Sequence, residues 1–385
     1  MNNSKNFRSA LVAGLALLAV GQAKAQTITR TIDFEYDAYG AVIKQTVEPD
    51  DPTLKSVTDF VLHPNYGVTT GKTLSWTDPV TGQPKSRGES VGYDARYRYA
   101  ESNTNAKGHV TTSTHDAATG NVLTSTDPDQ LVTTLAYDPW GRKLRETRPD
   151  GTATSTAYRS CVDTCLNGAS SVTITQHWGG AGQASQTAVP TEEFTDALGR
   201  TVLTRSWGFD GTAILNEKVY DSLGRVLKIA RPHYSTQTAV WTFYDQRDAL
   251  GRLTQSRSPN KTGTGFDTTT YAYNGLTLTT TNAKSQTRSA LHNLLGKTKA
   301  VTDAYNAVTS YAYDPFGNLV RTTDAKGNQI NIGYDKLGRK TTLSDPSLGN
   351  WTYVVDALGQ TMRQTDAKQQ VTDFEFDALG RQIDR

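Results

Sequence analysis

The side chains most able to do chemistry in this 385-residue chain are carboxylates set at recurring intervals. An Asp or Asn is followed three positions later by Gly, with an apolar residue just before the Gly, at Asp37, Asp138, Asp196, Asp221, Asp248, Asn293, Asp314, Asp335, Asp356 and Asp377. From residue 138 onward the Asp members are matched by Gly141, Gly199, Gly224, Gly251, Gly317, Gly338, Gly359 and Gly380. Two carboxylates a fixed distance apart are the equipment of a glycosidase, so acid–base catalysis is the first chemistry to weigh. Number argues against it: a catalytic pair is needed once, and these acids keep a beat. The alternative is turn capping, because Asp at the first position of a type I turn bonds the amides ahead of it and Gly suits the fourth.

The beat identifies the elements. The last five members are 21 residues apart, and Asn282, Asp303, Asp324, Asp345 and Asp366 form a second set 11 residues ahead of them. A turn therefore falls every 10 or 11 residues over about 282–385, the most regular stretch. Between turns the residues alternate, as in Phe34-Glu35-Tyr36 and Tyr311-Ala312-Tyr313, which is strand periodicity. Subtracting about four turn residues leaves strands of roughly six or seven residues, each near 20 Å long. Where Gly is missing, as in Asp303-Ala304-Tyr305-Asn306, Asn tolerates the left-handed backbone. A 21-residue unit is thus two antiparallel strands that cannot bury a face alone and must stack on their neighbours. The expected fold is all-β, a repetitive antiparallel hairpin ribbon forming an open arc or partial spiral shell.

The motif in "VYDSLGR" at 219–225 and "GYDKLGR" at 333–339 resembles the YD repeat of Rhs proteins, related to the wall repeats of teneurins and of insecticidal toxin-complex shell subunits. The resemblance is strong over 131–385, the expected repeat region, and weak over 26–130, an expected irregular start. It implies a β-sheet ribbon wound into a hollow shell around a C-terminal toxin domain. Arg385 lies eight residues after Asp377, so the expectation is a segment truncated before the core-closing and toxin regions. The partners then expected are a downstream core or toxin segment, or self-association through a C-terminal sheet edge where Phe374, Phe376 and Leu379 stand uncovered.

Residues 1–25 read as a signal peptide: Lys5 and Arg8, an apolar run from Ala10 to Val20, then Ala23-Lys24-Ala25 with cleavage between Ala25 and Gln26. An uncleaved anchor is the other reading, but the run is short against the ~20 residues a spanning helix needs. The formal charge of +2 falls to −1 once Lys5, Arg8 and Lys24 leave with the leader. No basic stripe is left for phosphate backbones, so nucleic acid is not an expected partner, and no membrane span is expected after removal. The secreted product would reside outside the cell, on its surface or in the periplasm.

The two cysteines, Cys161 and Cys165, suit a small disulfide in an exported chain, with a metal pair or a redox motif as alternatives. They sit in an insertion, 151–194, which together with "SWGFDGT" and "RPHYSTQ" is where a ligand-contacting loop is expected. Asp50-Asp51 and Asp127-Pro128-Asp129 lack the ligand-rich loop of a calcium hand. The six histidines show no metal spacing, and no nucleophile elbow, phosphate loop or dinucleotide fingerprint occurs. No catalytic residue, metal or cofactor is therefore assigned, and the chain is not read as an enzyme. Carbohydrate binding at a cell surface is the rival function, through aromatic faces that stack on sugars. In-register tyrosines are expected to form a ladder with edge-bonded hydroxyls, which leaves Trp178, Trp207 and Trp241 as the open rings.

Overall fold

The computed structural model describes residues 5–14, 27–161, 166–180 and 188–385. Among them the chain is a succession of β-strands from Lys5–Gly14 to Gln382–Asp384, with one 3-10 turn at Leu166–Gly168. Successive strands pair antiparallel: Val132–Tyr137 with Lys143–Thr147, that strand with Ala153–Ser160, and that with Ser171–Trp178. The all-β hairpin ribbon expected from the turn period is the fold observed. In the regular stretch the strands Thr298–Thr302, Val308–Tyr313, Leu319–Thr323 and Gln329–Tyr334 run five or six residues. Val308–Tyr313 alternates exposed and half-buried side chains along its length, the signature of a sheet with two unlike faces.

The residues fall into two compact units, one made of 1–112 with 291–385 and the other of 113–290. The second unit has an apolar core of Ala169, Phe194, Val202 and Leu203, with Val172, Leu215, Tyr220 and Cys161 against it. Part of the 151–194 insertion is therefore structural: Ala153–Ser160 and Ser171–Trp178 are full strands of the sheet, and Ala169 and Phe194 are buried. In the first unit the buried residues are largely polar or charged, among them Glu48, Asp78 and Asp356, with Leu54 as an apolar exception.

The leader region divides. Lys5–Gly14 is a strand paired with Thr27–Tyr36, from Lys5 opposite Tyr36 to Gly14 opposite Thr27. The cleavage positions Ala25 and Gln26 lie outside the described residues. No helix among the described residues is long and apolar enough to cross a membrane.

Because each strand reverses the last, turns alternate between two edges of the ribbon. One edge carries the turns that begin at Asp37, Asp138, Asp196, Asp221, Asp248, Asn293, Asp314, Asp335, Asp356 and Asp377. The other carries those at Glu48, Asp78, Asn105, Asp127, Arg148, Gly208, Asn282, Asp303, Asp324, Asp345 and Asp366. We call these the first and second edge.

Candidate functional site

The turn from Asp196 to Arg200 shows how the repeated acids are used. Asp196 Oδ1 accepts the amides of Leu198 at 2.9 Å and Arg200 at 3.0 Å, and Oδ2 accepts Arg200 Nε at 2.7 Å. The Asp196 carbonyl accepts the Gly199 N–H at 3.0 Å, and Gly199 sits at φ 75°, a left-handed position that glycine takes without penalty. This is a type I turn closed by a bulge, which also shifts the register between Phe194 and Thr195. The same Arg Nε to Asp Oδ2 bond joins Arg142 to Asp138, Arg225 to Asp221, Arg252 to Asp248, Arg339 to Asp335 and Arg381 to Asp377, at 2.6 to 2.8 Å. At Asp314 the donor is the Asn318 amide, at 2.7 Å. The non-Gly residues at the left-handed position include Asn306 at φ 62°, as its side chain allows.

Several of these arginines also reach the next repeat. Arg200 lies over the Tyr220 ring at 4.7 Å and Arg252 over Tyr273 at 4.3 Å. The ring hydroxyls donate to backbone carbonyls, Tyr220 to Thr201 and Tyr273 to Leu253, each at 3.0 Å, as the ladder expectation requires. The arginines were visible in the motif, but their double role was missed; their fixed place four residues after Asp was the signal.

This arrangement shapes the acids' chemistry. The Arg200 side chain, and then its amide, hold the Asp196 carboxyl below the usual carboxylate range. A carboxylate held ionised, with both oxygens engaged by its own turn, is poorly placed to lend or take a proton.

In the unit made of 1–112 and 291–385, second-edge residues of the first segment meet first-edge turns of the last. Arg30 lies over the Phe316 ring at 3.7 Å, and its Nε donates to the Lys336 carbonyl. Lys336 Nζ stands 3.6 Å from Asp51 and 4.0 Å from Glu48. Lys107 Nζ pairs with Asp377 at 2.8 Å. The Lys107 hydrogen bond is the leading reason that the Asp377 carboxyl lies far below its ordinary range. Between these contacts a cavity of about 210 Å³ is lined by Trp76, Asp78 and Lys85 from one side and Asp356, Leu358 and Phe376 from the other.

Asp356 is the exception among the acids. Its i+4 residue is Gln360, whose side chain donates to the Gly380 carbonyl instead, at 3.2 Å. Asp356 is 3% exposed, and burial, reinforced by the charge of Asp78, pushes its carboxyl upward. Asp78 moves the other way: burial raises it, but the Thr81 and Val80 amides outweigh that and leave it lowered.

Two expectations change here. Phe374, Phe376 and Leu379 are half-buried rather than uncovered, because Phe376 faces the cavity shared with Trp76 and the Phe374 amide is tied to the Met362 carbonyl at 2.8 Å. Trp178, Trp207 and Trp241 belong to strands rather than loops, and all three are half-buried. Cations lie over their rings: Arg145 at 5.8 Å, Arg205 at 5.4 Å and Lys228 at 3.9 Å. Cys161 is disulfide-bonded, while Cys165 lies outside the described residues.

An RHS Repeat family model matches residues 115–153 and 292–329. Among solved structures, the chain is similar to a crystal structure of TcdB2-TccC3, with a TM-score of 0.66 at 12% identity over 98% of this chain and 27% of that one. A structure of TcdB2-TccC3 without its hypervariable C-terminal region matches with a TM-score of 0.62 at 11% identity over 98% of this chain and 29% of the other. A Tc holotoxin pore of Photorhabdus luminescens matches with a TM-score of 0.50 at 13% identity over 92% and 21%. The chain thus spans under a third of those structures. Comparison with curated proteins gives no match.

Proposed function

We propose, from the RHS Repeat matches at 115–153 and 292–329 and the fold similar to that of toxin-complex structures, that this chain is a non-catalytic wall segment of an Rhs-type shell, working beside further core or toxin segments. The observation that supports this most is the use of the repeated acids. The Asp–Arg pairs close their own turns, and Arg142, Arg200, Arg252 and Arg339 also grip the next repeat, which makes wall and leaves these carboxylates engaged rather than poised for proton transfer. The second-edge to first-edge contacts of unit 1 fit the same reading, since a wound wall needs its successive windings to adhere. We further propose that residues 1–25 direct export and that Cys161 bonds Cys165 across a loop.

Co-expression of this chain with the adjoining reading frames, followed by electron microscopy, tests the wall. An enclosed particle that contains this chain is expected; an assembly without it would overturn the proposal. Exported material should begin at Gln26. Sugar-dependent quenching of tryptophan fluorescence would instead favour the carbohydrate-binding alternative.

A further inference from the structure

The cavity in unit 1 is lined by a buried carboxylate that its own turn leaves half spent. At the other first-edge turns that carry an Arg four residues after the Asp, such as Asp196 and Asp335, the Asp Oδ2 takes the Nε of that Arg. At Asp356 the residue in that place is Gln360, which donates to the Gly380 carbonyl instead. Asp356 Oδ1 accepts the amides of Leu358 and Gln360, each at 2.9 Å, and Oδ2 has no hydrogen-bond partner among the described residues. A buried acceptor without a donor is costly, and a folded chain that keeps one normally has something else to meet it.

The other charges around the cavity cancel locally, with one exception. Asp377 is taken by Lys107 and Arg381. Asp78 accepts the Val80 and Thr81 amides and stands 4.0 Å from Lys85. Arg339 gives its Nε to Asp335 and its Nη1 to the main-chain carbonyl of Asp356. The exception is Arg87, half-buried on the strand Pro84–Tyr93, which lines the cavity from the segment that also supplies Trp76 and Asp78. Its guanidinium has no ion pair or side-chain hydrogen bond among the described residues, and its neighbour Glu89 is held by Lys72 at 3.5 Å. Trp76, Leu358, Met362 and Phe376 add apolar lining. At roughly 30 Å³ per water, the volume of about 210 Å³ admits an organic body of about seven heavy atoms.

We propose that this cavity binds a small amino carboxylate whose ammonium and carboxylate stand at opposite ends of a short apolar chain. The ammonium meets Asp356 Oδ2, the carboxylate meets the Arg87 guanidinium, and the methylenes lie against the apolar lining. A simple cation would leave Arg87 unanswered and a simple anion would leave Asp356 unanswered; a zwitterion answers both and brings no net charge into the site. Asp356 and Arg87 belong to the two segments that meet at the seam, so the ligand also ties those segments together and stabilises the folded chain by mass action. The proposal rests on the unspent charges of the cavity and not on the shell or export readings.

Isothermal titration calorimetry on the full chain tests this with δ-aminovalerate as the probe. Valerate and pentylamine each keep one of its charges, and norvaline is its isomer with both charges at one end. δ-Aminovalerate should bind about tenfold more tightly than any of the three, the worth of one charge-assisted hydrogen bond, and should raise the melting temperature. Asp356→Asn should weaken δ-aminovalerate about tenfold and leave valerate unchanged, whereas Arg87→Met should weaken it as much and leave pentylamine unchanged. A merely structural role for either residue would lower all the probes together, and circular dichroism should report unchanged folding in both variants. Absence of heat and of any melting shift at millimolar δ-aminovalerate overturns the proposal. So does binding that both variants leave intact, or norvaline or pentylamine binding as tightly as δ-aminovalerate.

Discussion

The turns at Asp221 and Asp356 are written almost alike, "DSLG" and "DALG", yet they live in different surroundings. Leu223 projects into solvent at 74% exposure, while Leu358 lines a cavity opposite Trp76 and Asp78. Unit 2 is held by its own apolar cluster around Leu203; unit 1 gathers ion pairs and buried carboxylates where two distant segments meet. One motif therefore serves two ends, and what lies across the edge decides which. Local sequence builds the turn, and tertiary context sets its energetic weight.

The comparison can be broken most severely at Leu203, 1% exposed. Leu203→Ala should cost about 3 kcal/mol through lost burial and a residual cavity. Hydrogen exchange should show the loss across 191–220 and leave protection at 314–381 largely intact. If both regions lose protection equally, the two units are not energetically distinct.

A paired substitution sharpens the same contrast. Leu358→Ser should destabilise by about 1 kcal/mol, since it removes half-buried apolar surface. Leu223→Ser should fall within about 0.5 kcal/mol of no effect, as an exposed change should. Equal losses in urea titration would show that exposure does not separate the two turns.

Acid should act on the seam next. The Asp377 carboxyl is depressed, so the stability it lends is present above the ordinary carboxylate range and lost as pH falls through that range and below. Lys107→Met should weaken this pH dependence, leaving the part held by Arg381 and the Leu379 amide, and lower protection of the amides at 105–109 and 377–381. An unchanged acid profile in that variant would remove Lys107 as the cause.

The smallest effect belongs to Asp356, whose carboxyl is raised. Stability from a raised carboxyl is present below the ordinary range and lost as pH rises through the raised value. Asp356→Asn should therefore give a slight gain in melting temperature at neutral pH that vanishes in acid. A loss at neutral pH would mean that the negative charge is wanted there.

Much of this was legible because it is local. The 10- or 11-residue beat located the turns, alternation located the strands, and Asp capping follows from a short side chain beside amides two and four residues ahead. The seam was not legible. Arg30 and Lys336 are 306 positions apart, and neither carries any mark of the other. The same gap explains Phe376: on the pattern it looked like a sheet end without cover, and its cover comes from Trp76. The tryptophans were misplaced for a different reason. Longer repeats around them suggested loops, whereas the chain lengthened its strands at Ser171–Trp178 and Thr201–Trp207.

The contact between Arg30 and Lys336 has a kinetic consequence. A hairpin brings together residues about ten apart, and closing a 306-residue separation costs about 3 kcal/mol more in chain entropy. Hairpins should thus form early and the seam late, giving slow folding dominated by distant pairing. The seam becomes a check on everything made before it. A slipped register in the last strands would carry Lys107 and Asp377, or Lys336 and Asp51, out of reach, and the chain would stall with its charged edges unmatched until the error unzipped.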